Sequence, residues 1–436
     1  LYSSRPEPNP GWTRTYSGSA EILGYIDDMV TKYDLARFIQ FDTDVTCLEF
    51  DEGAGIWVAD TADGKRYQAR SVVMASGPLA NASFPDIRGI DSYGGKKIHS
   101  ARWDHGYDLG GKRVAVIGTG ASAVQIIPEL VKSAASVKVF QRTPGWVLPR
   151  VNFKHPAWAR STFKRLPMSE QALRDAWFWT HEVMAVGMVW NTAATSAIQL
   201  AAKAHLRRQV KDAWLRRQLT PHFRPGCKRM LMTSDYYPAL QADNCKLISW
   251  PIATLSPNGI RTADGVEHEV DCIVFATGFD VAKRGTPFPI SGLGGRKLGD
   301  EWSQGTFAFK SVSVAGYPNL FFTFGPNSGP GHNSALVYME AAIDYIVKAI
   351  KLLQQADIGT LDVRQDCQDR YHSEIQRRLQ RTTWNSGCSS WYLTEDGYNG
   401  TMYPGFATQF MRELSHLDTH DYVITRRDDT NLELTQ

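Results

Sequence analysis

A run of glycines, small residues and hydroxyls has the spacing of a turn that binds a phosphate group. The run comprises Gly118, Thr119, Gly120, Ala121, Ser122 and Ala123, in the pattern GxGxxA. Gly118 makes the tight turn, Gly120 lets a pyrophosphate approach the backbone, and Ala123 lets a helix pack closely on the preceding strand. The β-branched run RVAVI before the turn and the apolar periodicity after it predict that strand and that helix. We therefore expect a dinucleotide site, with Gln125 in the following helix among its contacts.

The end of the next predicted strand, SVKVFQRTP, indicates which dinucleotide is bound. An NAD site usually has an acidic residue there, whereas this chain has Arg142 followed by Thr143. A guanidinium can hold a phosphate through two parallel hydrogen bonds, so Arg142 favours NADPH; a solvated surface arginine is the alternative. Lys228 and Arg229 are adjacent cations before an apolar stretch, which indicates an anion nearby.

The elements around these residues form an internal repeat. Each copy is a small β-meander followed by an apolar strand that ends on a small residue, a hydroxyl and a glycine. These endings are Ala75, Ser76 and Gly77 in the first copy, and Ala276, Thr277 and Gly278 in the second. Such an ending lets the backbone pass close to a nucleotide, although a plain strand-to-loop turn explains either copy alone. The recurrence favours the nucleotide interpretation.

Five other segments have recognisable patterns. Residues 19–34 predict an amphipathic helix with Ser19 as a cap, and FIQF at 38–41 predicts a strand. Residues 156–219 read as helices ending in a basic run, most simply a solvated face. A glycine- and proline-rich loop then leads into a helix beginning near Asn333 or Ser334, whose N-terminal N–H groups suit an anion or an electron-rich ring edge; a plain turn is the alternative. Residues 384–405 suit a mobile cover over a site.

Composition restricts the class of protein. The 436 residues are enough for two to three domains, and 48 Lys plus Arg against 45 Asp plus Glu argue against a dedicated nucleic-acid binder. The six cysteines have no CxxC pair, so we expect scattered thiols of a reducing, cytoplasmic compartment and neither a disulfide framework nor a metal site. The uncharged stretch 183–202 is too polar for a stable membrane span. A small-molecule enzyme is the best starting hypothesis.

One further motif carries a family resemblance. Tyr93, Gly95, His99, Trp103 and Asp104, in YGGKKIHSARWD, are spaced like the fingerprint of the Baeyer–Villiger monooxygenases, with Tyr in place of the more usual Phe. The chain resembles this family of class B flavin monooxygenases along essentially its whole length, through segments such as MASGPLANASFPDIRGI, GCKRMLMTSDYYPAL, ATGFD and GPNSGPGHNSALVYMEA.

The resemblance implies an α/β fold of two interleaved Rossmann-like domains of the glutathione-reductase type. Residues 1–110 and 281–436 would bind FAD, the latter part with a mobile C-terminal loop. Residues 111–280 would bind NADPH and carry a helical insertion at about 156–224. NADPH would reduce FAD, and O₂ would form a C4a-peroxyflavin that converts a small-molecule ketone to an ester or lactone. Alternatives are an N- or S-oxygenating flavin monooxygenase, or a non-catalytic NADP-binding fragment.

Individual roles follow from the same resemblance. Arg229 would be the catalytic cation, while Lys228 and Arg142 would hold the 2′-phosphate of NADPH. His99 would couple the motion of the two domains, or simply be a packing histidine. Trp391 would cover the nicotinamide, although burial in the core is the default for tryptophan. The family's N-terminal GxGxxG for FAD, and an Asp after it, are not found in this chain; we expect them upstream of Leu1.

Overall fold

The computed structural model describes residues 3–79, 81–279, 286–355, 357–387 and 390–426. The α-helices are α1 (Ser19–Lys32), α2 (Ala123–Leu130), α3 (Ala157–Arg165), α4 (Pro167–Met188), α5 (Ala193–Gln209), α6 (Ala213–Gln218), α7 (Tyr236–Ala239), α8 (Leu298–Glu301), α9 (Ala335–Leu353), α10 (Gln365–Leu379) and α11 (Ala407–Glu413). The strands are β1 (Val45–Asp51), β2 (Ile56–Thr61), β3 (Arg66–Ala69), β4 (Val72–Met74), β5 (Lys96–His99), β6 (Arg113–Ile117), β7 (Ser136–Phe140), β8 (Val147–Leu148), β9 (Leu231–Met232), β10 (Cys245–Ile248), β11 (Ile252–Ser256), β12 (Gly259–Thr262), β13 (Glu267–Glu269), β14 (Cys272–Phe275), β15 (Ile290–Ser291), β16 (Leu320–Phe322), β17 (Ile358–Val363) and β18 (Tyr422–Arg426).

A parallel five-stranded sheet in the order β10–β7–β6–β14–β5 carries the GxGxxA turn. Its central strands read as continuous apolar runs because both faces are covered; Val114, Val116 and Val274 are fully buried. Helix α2 follows the turn and packs its apolar side on this sheet. Strand β5, which precedes the sequence-based boundary of 110/111, pairs in parallel with β14 at the edge of this sheet.

The predicted repeat is visible in the strand pairing. In the first copy, β1, β2 and β3 form an antiparallel meander and β4 then pairs in parallel with β16. In the second copy, β11, β12 and β13 form the meander and β14 then enters the five-stranded sheet. Both copies end on a glycine with positive φ, 68° at Gly77 and 88° at Gly278.

Two local predictions near the N-terminus are wrong. Residues 38–41 are not a strand, because Leu35–Phe38 is a 3₁₀ helix and the flanking Asp34 and Asp42 adopt left-handed conformations that turn the chain. Helix α1 is present, but its N-cap is Gly18 rather than Ser19, and no side chain caps it.

The residues read as helices in the sequence form α3 to α6, and their role as an insertion in one domain stays a prediction. Among the described residues, no helix is both long and apolar enough to cross a bilayer. The cysteine prediction needs one correction: Cys227 is disulfide-bonded, whereas Cys47, Cys245, Cys272 and Cys367 are free thiols. Spacing along a sequence does not reveal which cysteines meet in a fold.

The molecule has two halves, one containing β4 and β16 and the other containing the five-stranded sheet. The chain segments that follow β4 and β14 cross between these halves and meet each other. Residues Ala82 and Phe279 form an antiparallel bridge, and the Ser83 N–H donates to the Gly278 carbonyl at 3.0 Å. The Thr277 hydroxyl donates to the Ser83 carbonyl at 2.5 Å. The strand endings of the repeat are therefore joined directly to this pair of crossings, which we call the linker junction.

A glycine substitution tests how tightly β5 is seated. A Cβ at Gly95 would lie 2.2 Å from the Tyr93 hydroxyl and 2.7 Å from the Asp271 carbonyl. Gly95→Ala is therefore expected to destabilise the fold by about 1–3 kcal/mol, measured as a lower midpoint of thermal or urea unfolding. The control is Gly24→Ala on α1, where the new methyl group meets no described atom; it should be neutral or slightly stabilising. Equal stability of the two variants would contradict this packing.

Candidate functional site

The GxGxxA turn has the geometry of a phosphate-binding loop. Gly118 has a φ of 115°, and a Cβ there would lie 2.4 Å from the Ala276 carbonyl, so only glycine fits. The Thr119 hydroxyl donates to the Thr143 carbonyl at 3.0 Å and ties the turn to the end of β7. No described atom outside its immediate neighbours lies within 4 Å of a Cβ built on Gly120, which leaves room for a ligand. The turn thus presents backbone N–H groups to open space at the start of α2.

Other expected contacts of the turn are already engaged within the protein. The Gln125 side-chain amide donates to the Ala121 carbonyl at 2.8 Å. The Ala276 carbonyl and the Thr277 hydroxyl face Gly118 and Ser83 respectively. These residues shape the turn and its connection to the linker junction, and their contact with a cofactor stays a prediction.

The cations predicted from the sequence come together in space. Lys228 is half-buried, and its pKa is lowered by burial and then by the positive charge of Arg142. Its ammonium group also lies 5.2 Å from the centre of the Phe223 ring. An anion that binds between two neighbouring cations relieves their repulsion. That Arg142 and Lys228 hold a 2′-phosphate stays a prediction.

Arg229 lies within electrostatic range of the expected cover segment. Burial raises the pKa of Tyr392 in that segment, and the positive charge of Arg229 opposes that shift. Trp391 contacts Tyr392 in a tilted arrangement with ring centres 4.5 Å apart and is 41% exposed, so it is not a core tryptophan. The Arg229 side chain is exposed. Residues 388–389 of the cover segment lie outside the described residues.

Most of the fingerprint residues hold β5 in place. Tyr93 is buried and donates from its hydroxyl to the Val270 carbonyl at 2.9 Å. Trp103 packs against the core beneath the five-stranded sheet. Asp104 forms an ion pair with Lys96, the first residue of β5.

His99 lies directly under the linker junction. His99 is 3% exposed. Its ring centre lies 5.0 Å from the ring centre of Phe84 and 6.0 Å from that of Phe279, and each of these phenylalanines belongs to one of the two crossing segments. Burial lowers its pKa, while the nearby backbone groups of Ser83 and Gly278 oppose that effect. The Ala101 N–H donates to Nδ1 at 3.1 Å. A neutral imidazole that contacts both crossings is well placed to couple them.

Apart from the open space at the GxGxxA turn, a cleft lies at the carboxyl ends of the parallel strands β4 and β16, and we call it the second cleft. The residues lining it include Ser76, Gly77, Gly325, Ser328, Gly329, Gly400 and Thr401. Trp302 is 2% exposed and also lines the cleft; its indole N–H has no hydrogen-bond partner among the described residues. Ends of parallel strands are the usual place for a cofactor in such sheets.

The helix predicted near Asn333 is α9, which begins at Ala335; its N-cap is Ser334, whose hydroxyl accepts a hydrogen bond from the Leu336 N–H at 3.3 Å. The Asn333 side chain accepts from the Ser334 N–H and donates to Glu182 on α4. Glu182 is a buried acid that the sequence analysis missed. A lone acid in the segment HEVMAVGM looks like an ordinary solvated helix residue, and only the fold reveals its burial.

Comparison with known proteins agrees with this geometry. Residues 6–169 match the family described as "Flavin-binding monooxygenase-like". A "Baeyer-Villiger monooxygenase" of Pseudomonas aeruginosa is 40% identical over 98% of this chain and 81% of its own length. The chain belongs to the Baeyer–Villiger monooxygenase family. The family assignment and the α/β fold predicted from the sequence are therefore confirmed, and the protein is a flavin-dependent monooxygenase.

This member of the Baeyer–Villiger monooxygenase family also superposes on solved structures of other monooxygenases. An "Oxidized steroid monooxygenase bound to NADP" superposes with a TM-score of 0.84 at 26% identity, covering 97% of this chain and 89% of the other. An "OTEMO complex with FAD and NADP" superposes with a TM-score of 0.82 at 25% identity, covering 94% and 85%. The similarity covers both halves of the fold.

The cation pair generates a binding prediction. Arg142→Ala and Lys228→Ala should each weaken binding of 2′,5′-ADP by about 1.5–3 kcal/mol, roughly tenfold to a hundredfold, because a charge-assisted contact to the 2′-phosphate is lost. Binding of 5′-ADP, which lacks that phosphate, should change little. Isothermal titration measures both ligands, and Arg207→Ala in the exposed basic run is the matched control. Equal losses for the two ligands would contradict the assignment.

Proposed function

We propose that this chain catalyses NADPH- and FAD-dependent Baeyer–Villiger oxidation, inserting one oxygen atom of O₂ next to the carbonyl of a small-molecule ketone. The observation that carries the proposal is the pair of adjacent residues Lys228 and Arg229. The charge of Arg142 acts on Lys228, and the charge of Arg229 acts on Tyr392 in the cover segment, so this loop lies within electrostatic range of both. One short loop therefore connects cofactor binding with the place where a substrate would be enclosed.

The residues present fit NADPH at the five-stranded sheet. Gly118 and Gly120 admit a pyrophosphate where any side chain at 118 would collide with the Ala276 carbonyl. Arg142 and Lys228 would hold the 2′-phosphate, and Trp391, exposed at the edge of the cover segment, would lie over the nicotinamide. Solved relatives in complex with NADP support this cofactor.

The second cleft fits a part of FAD. Its glycine-rich walls at Gly77 and Gly325–Gly329 allow close backbone approach, and the unpaired indole N–H of Trp302 can donate to an acceptor on the ligand. When bound, FAD supplies the redox and oxygen-activating chemistry and NADPH supplies the hydride. An FAD-bound relative and the family description support this cofactor.

The role of Arg229 follows from its chemistry and position. A guanidinium stays charged at every working pH, and its fixed donors suit the negative charge that develops on oxygen during the reaction. Its neighbour Tyr392 is 2% exposed and packs against Trp384 and Trp391, which limits where the cation can point. Arg229 would thus stabilise developing charge while the cover segment excludes water.

The domain assignment extends this proposal. The sheet that contains β6 would be the NADPH domain with α3 to α6 as its insertion, and the segments around β4 and β16 would form the FAD domain. His99, beneath the linker junction, would couple movement of one domain to the other. The four free thiols and the use of NADPH favour a cytoplasmic location.

The test compares wild type with Arg229→Ala, both carrying flavin. Wild type with NADPH and a panel of cyclic, linear and aryl ketones should yield esters or lactones, detected by mass spectrometry. The variant should still let NADPH bleach the flavin absorbance under anaerobic conditions, but ester formation should fall by roughly a hundredfold or more because charge stabilisation is lost.

The control is Arg150→Ala, which removes a nearby surface arginine whose partner is Asp235; it should retain ester formation. Oxidation of thioethers or amines by the wild type, with no ester from any ketone, would instead identify a heteroatom oxygenase. Normal ester formation by Arg229→Ala would remove the catalytic assignment.

A further inference from the structure

Glu182 is a carboxylate buried where three separate parts of the chain meet. It lies on α4 in the helical insertion and is 3% exposed. It accepts five hydrogen bonds: from His332 Nε2 at 3.2 Å, the Asn333 amide at 3.2 Å, the Ala407 N–H at 3.2 Å, the Thr408 N–H at 2.8 Å and the Thr408 hydroxyl at 2.7 Å. A buried charge with this many donors is strongly held in place.

These donors come from the segments next to the second cleft, which the proposed function assigns to FAD; we call this the flavin side. His332 and Asn333 end the loop whose earlier residues, Gly325–Gly329, line the second cleft. Ala407 and Thr408 are the first residues of α11, so Glu182 caps that helix from a different domain. Burial alone would raise the pKa of Glu182, but the hydrogen bonds lower it to about 2, so the carboxylate is charged at every working pH.

The C-terminal end of the same helix supports the loops of the other cofactor. The Thr383 N–H donates to the Val189 carbonyl at 2.8 Å, and the Thr383 hydroxyl donates to the Met188 carbonyl at 2.6 Å. Thr383 immediately precedes the cover segment. Gly226, three residues before Arg229, packs so closely here that a Cβ would lie 2.6 Å from the Met188 carbonyl and 2.7 Å from the Thr383 hydroxyl.

We propose that Glu182 is a positioning residue which, through α4, fixes the loop of Arg229 and the start of the cover segment relative to the flavin-side loop. The expected effect on catalysis rests on the proposed function. The expected effect on the positions of the two loops does not rest on it. Glu182 is about one and a half helical turns before Met188 on a continuous helix. Loss of its anchoring would therefore be transmitted along α4 to both loops.

The test uses Glu182→Gln in the flavin-loaded protein, because the amide keeps the size but removes the charge and one acceptor. Hydrogen–deuterium exchange should become at least about fivefold faster at residues 331–334 and 407–408, which Glu182 touches, and also at 226–232, which it does not touch. Ester formed per NADPH consumed should fall roughly threefold or more, with the balance appearing as hydrogen peroxide, since Arg229 is no longer held in register.

The matched control is Glu413→Gln, which removes a partly buried carboxylate at the other end of α11, where it pairs with Arg378 away from α4. It should lower the unfolding temperature without changing exchange at 226–232 or the product ratio. If Glu182→Gln does not fold, Thr408→Val removes one donor, keeps the shape and should show the same pattern more weakly.

Exchange that rises only at the residues in direct contact with Glu182, together with an unchanged product ratio, would overturn the proposal and leave Glu182 as a local stabilising residue. Failure of the wild type to form any ester would overturn the proposed function instead. In that case the exchange at 226–232 still decides whether Glu182 acts through α4.

Discussion

The paired crossings at the linker junction are the constraint on which the rest of the molecule depends. The crossing after β4 and the crossing after β14 are tied together by the Ser83–Gly278 hydrogen bond and by the Thr277 hydroxyl. Each crossing follows the end of a repeat, and the proposed cofactor sites begin at the same strand ends. If the proposal holds, a shift of one site relative to the other would be felt at this junction and at α4.

The helical insertion gives the molecule its second connection between halves. At one end of α4, Glu182 holds the flavin-side loop and α11, and at the other end Met188 contacts Thr383 and Gly226. The linker junction is built from the Ser83–Gly278 backbone hydrogen bond and the Thr277 hydroxyl. The α4 connection instead uses a buried charge and close packing, which favour one arrangement. The two connections join the halves at separate places.

Local features of this fold could be predicted from the sequence where the chemistry is local. The GxGxxA turn needs Gly118 because of the Ala276 carbonyl, and the repeat is visible because both copies need the same small residues at their strand ends. The fingerprint at Tyr93 and Gly95 could be recognised, although its packing role could not. Features that depend on contacts or turns beyond the local pattern were either missed or predicted wrongly. Glu182 looks solvated in the sequence, Cys227 gives no sign of its bond, and residues 38–41 look like a strand until Asp34 and Asp42 are seen to turn the chain.

The most direct test of the central claim follows the oxygen atom itself. The flavin-loaded protein would be incubated with NADPH, a ketone that it accepts and ¹⁸O₂ in unlabelled water, and the product analysed by mass spectrometry. The account predicts an ester or lactone that carries a single ¹⁸O atom in the bond next to the carbonyl carbon, formed in proportion to the NADPH consumed. An unlabelled product, or consumption of NADPH that yields only labelled hydrogen peroxide with every ketone tried, would contradict it.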